Sequence, residues 1–188
     1  MRLFFAVRLP AGVQETLRPA LEAGQRVAGA SVGFTRVEQL HFTLAFLGEQ
    51  PEGAVDRASE AAQAAIALPQ FELAISGRSA FPGMSRPRVL WLGAGEGAAP
   101  LRALAEKLCA GLRERGFALE DRPFRAHLTL GRVRQRGDRD ARRALEAIPA
   151  GELARFEVRE LALMQSILGP SGAKHIELRS FALAPRAH

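Results

Sequence analysis

Two of the four histidines in this 188-residue chain open the same short pattern. His41-Phe42-Thr43-Leu44 and His127-Leu128-Thr129-Leu130 each place a threonine two residues after the histidine. With only four threonines in the chain, a given histidine acquires one at that spacing about 2% of the time by chance. Two occurrences therefore mark a repeated motif. Side chains two apart on a strand face the same side, so each motif presents an imidazole and a hydroxyl together, with Phe42, Leu44, Leu128 and Leu130 turned to a core. An unperturbed imidazole has a pKa of roughly 6.5, so one member of a pair is available as a base while the other serves as an acid near neutrality. Phosphodiester hydrolysis uses both: a base takes a proton from water and an acid protonates the leaving oxygen. The hydroxyls of Thr43 and Thr129 suit non-bridging phosphate oxygens, where negative charge has to be held.

Other chemistries fit less well. A zinc site needs three or four close ligands, and neither motif adds a second histidine or a carboxylate on its strand face, so no metal and no other cofactor is expected. A Gly-x-Ser-x-Gly nucleophile elbow is absent. Cys109 follows Leu108 inside an apolar helical stripe and reads as core. Arg125 shares face parity with His127 and Thr129 and is a candidate phosphate contact. Arg132 is a second candidate phosphate contact, with the opposite parity unless the strand bends.

The elements that must position these residues follow from periodicity. Residues 2–9 read as a strand, and a helix opens after Pro10 with Val13, Leu17, Leu21 and Val27 on one face, with Pro19 expected to kink or end it. Residues 40–47 form a strand ended by Gly48, and an alanine-rich helix runs from Ala54 to about Leu68. Strands at 71–76 and 88–92 come next, the second with Trp91 packed between lobes. Leu101, Leu104, Leu108 and Leu112 mark a helix ending near Gly116. A strand at 126–133, a short helix at 140–148 and β-rich stretches at 154–164 and 175–184 close the chain. Strand and helix thus alternate in the same order twice, in halves of about 1–80 and 86–188. That repetition predicts an α+β fold of one bilobal domain spanning 1–188: two pseudo-symmetric lobes with antiparallel sheets and outer helices around a central cleft.

Composition sets the remaining bounds. With 47% apolar and 24% charged residues the chain supports one sizeable core or two fused lobes. No apolar run approaches the ~18 residues of a membrane helix, and Met1–Pro10 reads as a first strand, not a signal peptide. A single cysteine excludes an internal disulfide and makes the cytoplasm the expected location; a monomer is the expected working unit. Twenty-six basic residues against twenty acidic leave a formal charge of +6, which favours polyanionic partners, although arginine richness with only Lys107 and Lys174 as lysines also fits a genome-wide bias. The run Arg132, Arg134, Arg136, Arg139, Arg142 and Arg143 reads either as a solvated loop and helix start or as a track for an RNA backbone.

The two motifs, the opening Arg2-Leu3-Phe4-Phe5-Ala6-Val7-Arg8-Leu9-Pro10, Arg122-Pro123-Phe124, and Leu163–Leu168 with Gly172 together resemble the two-histidine phosphoesterase superfamily. The likeness extends over nearly the whole chain, and it points to the branch of RNA 2′,3′-cyclic phosphodiesterases historically named 2′-5′ RNA ligases. It implies metal-independent opening of RNA 2′,3′-cyclic phosphate ends to 2′-phosphomonoesters, with His127 as proton acceptor, His41 as proton donor, and a basic residue at Arg132. The same chemistry run backwards would join a cyclic end to a 5′-hydroxyl, and a non-catalytic RNA-binding module would keep the fold alone. The family often carries a tyrosine late in the chain, where this sequence has Lys174-His175. His175 reads first as an ordinary exposed residue and alternatively as a base-stacking one; His188 is expected to be disordered.

Overall fold

The computed structural model describes residues 1–169 and 172–186; His188 lies outside them. In chain order the elements are β1 (Arg2–Arg8), α1 (Ala11–Ala28), β2 (Val32–Phe34), β3 (His41–Glu49), α2 (Ala54–Ala65), β4 (Phe71–Phe81) and β5 (Val89–Ala94). They continue with α3 (Ala98–Glu114), β6 (His127–Val133), α4 (Asp138–Ala147), β7 (Glu152–Val158), β8 (Glu160–Gly169) and β9 (Gly172–Ala182).

β1 shows why the sequence opens with a nearly continuous apolar run. Leu3, Phe5 and Val7 enter the main core, while Phe4 and Ala6 on the opposite face join Ala162 and Met164 in a second, smaller apolar cluster. A strand covered on both faces has no polar side to alternate with. In α1 the buried stripe is Val13, Leu17, Leu21, Gly24 and Ala28, and Val27, one position off it, is exposed. The helix continues past Pro19 to Ala28, so it does not end there. Pro19 is exposed, so the carbonyl that it leaves without a partner meets water on the solvent side. Gly24 lets α1 approach α4, since a Cβ there would lie 3.1 Å from the Ile148 side chain.

All strand pairings within the sheet are antiparallel, in the order β7-β4-β5-β6-β3-β1-β8-β9, with β2 paired to β6. The β-rich stretch expected at 154–164 is two strands, β7 and β8, separated only at Arg159 and lying at opposite ends of most of this order. Neighbours in sequence occupy both flanks only if the sheet curls back towards itself. Two strand groups result. β3, β1, β8 and β9 form one lobe, β6, β5, β4 and β7 the other, and the lobes meet at a seam where Phe42 pairs with Leu128. The strands trade between sequence halves: β4 pairs with β5 and β7, and β8 pairs with β1.

Candidate active site

The seam carries both motifs. Phe42 and Leu128 point into the core and are fully buried. Continuing their antiparallel register by one residue in each direction sets His41 across from Thr129 and Thr43 across from His127. The two imidazoles therefore stand diagonally on one face, each beside the other motif's hydroxyl.

Each ring is oriented in the same way. His41 Nδ1 lies 2.8 Å from the carbonyl oxygen of Gln39, and His127 Nδ1 lies 2.7 Å from that of Arg125. A carbonyl only accepts, so in both rings the Nδ1–H is the donor and Nε2 is left for chemistry. The partner is the residue two before the histidine in both lobes, and the equivalence shows that the repeat includes the approach to the strand as well as the strand itself.

A cleft of about 680 Å3 opens beside the seam, and His41, Thr43, Thr129 and Arg132 all line it. Arg132 reaches it through a β-bulge. Trp91 pairs with Thr129 and Leu90 with Gly131, which leaves Leu130 as the extra residue, and a bulge of one residue reverses the facing of the strand beyond it. β3 repeats the device: Ala6 pairs with Thr43 and Phe5 with Ala45, leaving Leu44 extra, so Phe46 also turns to the cleft.

His127 stands one strand across on the second lobe, outside that lining, with its ring edge-on to Phe81 at 5.0 Å and Trp91 at 6.3 Å between centroids. Arg125 is held on this wall too. Its guanidinium lies over the Phe81 ring at 5.3 Å and near Trp91 at 6.0 Å. Trp91 is thus a wall residue of the second lobe, packed against the site.

His175, read from the sequence as an exposed residue, is half-buried in the cleft. Its ring is perpendicular to that of His41 at 5.1 Å and packs on Phe4 at the same distance. The cause is the curl, which brings the β8–β9 hairpin over the β1 face. Gln39 Nε2 donates to the Ala173 carbonyl at 3.1 Å and holds the hairpin there. No local signal announces this, because the contact joins residues far apart in sequence. Burial pushes the His41 imidazole down to about 4; the Gln39 carbonyl opposes this, while His175 and His127 as nearby cations add to it. Burial lowers His175 as well.

The remaining candidates separate clearly. Cys109 packs against the core, and burial raises its thiol above the usual range, which disfavours a thiolate. Among the described residues no three His, Cys, Asp or Glu side chains converge as metal ligands, and no helix is long and apolar enough to cross a membrane. Within the arginine run, Arg132 faces the cleft and Arg142 donates to the Ser85 carbonyl at 3.2 Å, while Asp138 at the start of α4 pairs with Arg88, outside the run, at 2.6 Å.

Comparison with known proteins agrees with this geometry. A family model described as the 2′-5′ RNA ligase superfamily matches residues 13–169. The RNA 2′,3′-cyclic phosphodiesterase of Archaeoglobus fulgidus is 37% identical over 96% of this chain and 99% of its own. The crystal structure of TT0787 of Thermus thermophilus superposes with a TM-score of 0.80 at 29% identity, covering all of both chains. The Escherichia coli protein LigT, solved in complex with 3′-AMP, gives 0.77 at 28% identity over 97% of each chain. With a family match over most of its length and a near full-length relative above 30% identity, the chain belongs to the 2′-5′ RNA ligase superfamily, the two-histidine phosphoesterases.

Proposed function

We propose that this protein opens RNA 2′,3′-cyclic phosphodiester ends to 2′-phosphomonoesters by two-histidine acid–base catalysis, without metal or cofactor. The observation that carries the reading is the matched pair of imidazoles, each anchored through Nδ1 to the carbonyl two residues upstream and each offering Nε2 beside a threonine. Relatives bearing the name RNA 2′,3′-cyclic phosphodiesterase at 31–37% identity over most of the chain support the substrate class.

In this mechanism His127 Nε2 takes a proton from the attacking water as the new P–O bond forms. The P–O3′ bond breaks, and His41 Nε2 delivers its proton to the departing 3′ oxygen. One water is consumed, a 2′-phosphate and a 3′-hydroxyl are produced, and exchange with solvent resets the two rings. Thr43 and Thr129 donate to the non-bridging oxygens, Arg132 pairs with them from the bulge of β6, and Arg125 adds positive charge beside His127. Burial holds the His41 imidazole down to about 4, so by itself the ring is neutral near pH 7. An arriving phosphate anion opposes the desolvation that keeps it so, and the acid therefore becomes charged when substrate binds. One chain supplies both rings, which supports a monomer as the working unit, and a lone Cys109 is in keeping with the cytoplasm.

The test is hydrolysis of an RNA oligonucleotide with a 2′,3′-cyclic end, in EDTA. Wild type should yield the 2′-phosphate, while His41→Ala and His127→Ala should each lose about 10²–10⁴-fold in rate with the fold retained. Dependence on a divalent ion, or turnover surviving in either variant, would overturn the mechanism.

A further inference from the structure

The arginine run between Arg132 and Arg143 begins in the cleft and leads out of it. Arg132 lines the cleft, and so does Gly33, its partner across the β2–β6 pairing. Paired residues on adjacent strands share a face of the sheet, and Gly33 has no side chain to cover its part of that face. Arg134 lies there instead: a Cβ on Gly33 would stand 3.9 Å from both Nε and Nη2 of Arg134. Its guanidinium thus crosses β2 beside the cleft, two residues and about 7 Å of extended chain beyond Arg132. The chain then turns at Arg136, exposed with a φ of 61°, and enters α4, whose buried residues are Ala141, Ala144 and Leu145. Arg139 and Arg143 stand exposed on α4, one helical turn apart.

These cations lack counterions. Arginines elsewhere are matched, Arg18 with Glu15 and Glu38, Arg155 with Glu96 and Glu152, Arg179 with Asp56. Within the run both acids are engaged otherwise: Asp138 pairs with Arg88, and Asp140 accepts from Ser31 Oγ at 2.6 Å. Among the described residues no ion pair involves Arg132, Arg134, Arg136, Arg139 or Arg143. Like charges one turn apart on a helix repel, so the arrangement costs stability in the free protein. A compositional bias accounts for the number of arginines and not for this series being left unpaired.

We propose that Arg134, Arg136, Arg139 and Arg143 are a track for the phosphates of single-stranded RNA upstream of the cyclic end; the assignment rests on the phosphodiesterase reading above. A 2′,3′-cyclic phosphate closes the last ribose, so all the remaining RNA lies on its 5′ side and has to leave the cleft. With the reacting phosphate at Arg132, Arg134 stands about one nucleotide step further on and meets the next phosphate. The planar guanidinium fork matches phosphate oxygens. Contacts of this kind carry no base information, so the length of the RNA, and not its sequence, sets the affinity, which falls steeply with salt.

The test compares cytidine 2′,3′-cyclic phosphate, which has no upstream phosphate, with a ten-nucleotide single-stranded RNA bearing the same cyclic end. Both are given to wild type, to the track variant Arg134→Gln/Arg139→Gln, and to Arg102→Gln/Arg113→Gln, which removes the same charge from exposed positions of α3. Thermal unfolding checks that the variants fold. Wild type should prefer the RNA by about 10-fold or more in kcat/KM at low salt, carried by KM. The track variant should lose about 10-fold on the RNA and stay within about twofold on the nucleotide. Its slope of log kcat/KM against log salt should flatten by about 1.4, or about 0.7 for each lost phosphate contact. The α3 variant should match wild type. No preference in wild type, a preference kept in the track variant, or an equal loss in the α3 variant overturns the track. If wild type hydrolyses neither substrate, the phosphodiesterase reading fails, and fluorescence anisotropy with a 5′-labelled RNA of the same length tests the track by itself. Weaker binding to the track variant than to the α3 variant upholds it, and equal binding overturns it.

Discussion

His41 is a titratable ring held among Phe4, His175 and the Gln39 carbonyl. Its folded-state value of about 4 lies below its ordinary 6.5. Between those two pH values the unfolded chain binds a proton that the folded protein refuses. Stability is therefore full above pH 6.5 and declines as the pH falls towards 4, by about 1–3 kcal/mol from this group. His41→Asn keeps an N–H for the Gln39 carbonyl and does not titrate. Urea unfolding at pH 7 and pH 4.5 should show a smaller acid loss in that variant than in wild type, and an equal loss would remove His41 as its source. His41, His127, Thr43 and Thr129 were legible from the sequence because the motif occurs twice. The positions of Phe46 and His175 in the cleft were not. Phe46 needs the bulge at Leu44 to face the cleft, and His175 needs the hairpin to arrive from the far flank of the sheet.

At the level of elements the bulges, β2 and the seam act together. β2 pairs with β6 so closely at Gly131 that a Cβ there would lie 2.8 Å from the Gly33 carbonyl oxygen and 3.1 Å from the Phe34 Cα. Those neighbours are backbone and cannot swing aside. Gly131→Ala should push β2 away from β6 together with the Thr35–Arg36 wall of the cleft, lowering stability by about 1–3 kcal/mol and lowering kcat/KM as Arg132 shifts with the strand. Thermal unfolding and hydrolysis rates check both, and a variant unchanged in each would show that the close approach is not needed. The sequence made most strands and helices readable, because their apolar periods are regular. It did not separate β7 from β8, since a single residue divides two strands of like composition, and the end it allowed at Pro19 does not occur, because an exposed position tolerates the lost hydrogen bond.

On the scale of the molecule, neither sequence half closes a lobe by itself. β4 of the first half is flanked by β5 and β7, and β8 of the second lies along β1. Cleaving the chain within 82–88, between β4 and β5, should leave the two pieces associated and the cleft intact. Separately expressed pieces 1–84 and 85–188 should each be inactive and regain hydrolysis on mixing; activity in either piece alone would contradict the exchange. Exchange of this kind is also what two half-length chains would show as a swapped dimer, each bringing one imidazole and lending C-terminal strand structure to the other. In such a pair the two-ring cleft would vanish on dilution. Carried on a single polypeptide, the same exchange makes assembly of the site intramolecular, and the reaction centre becomes indifferent to how scarce the protein is.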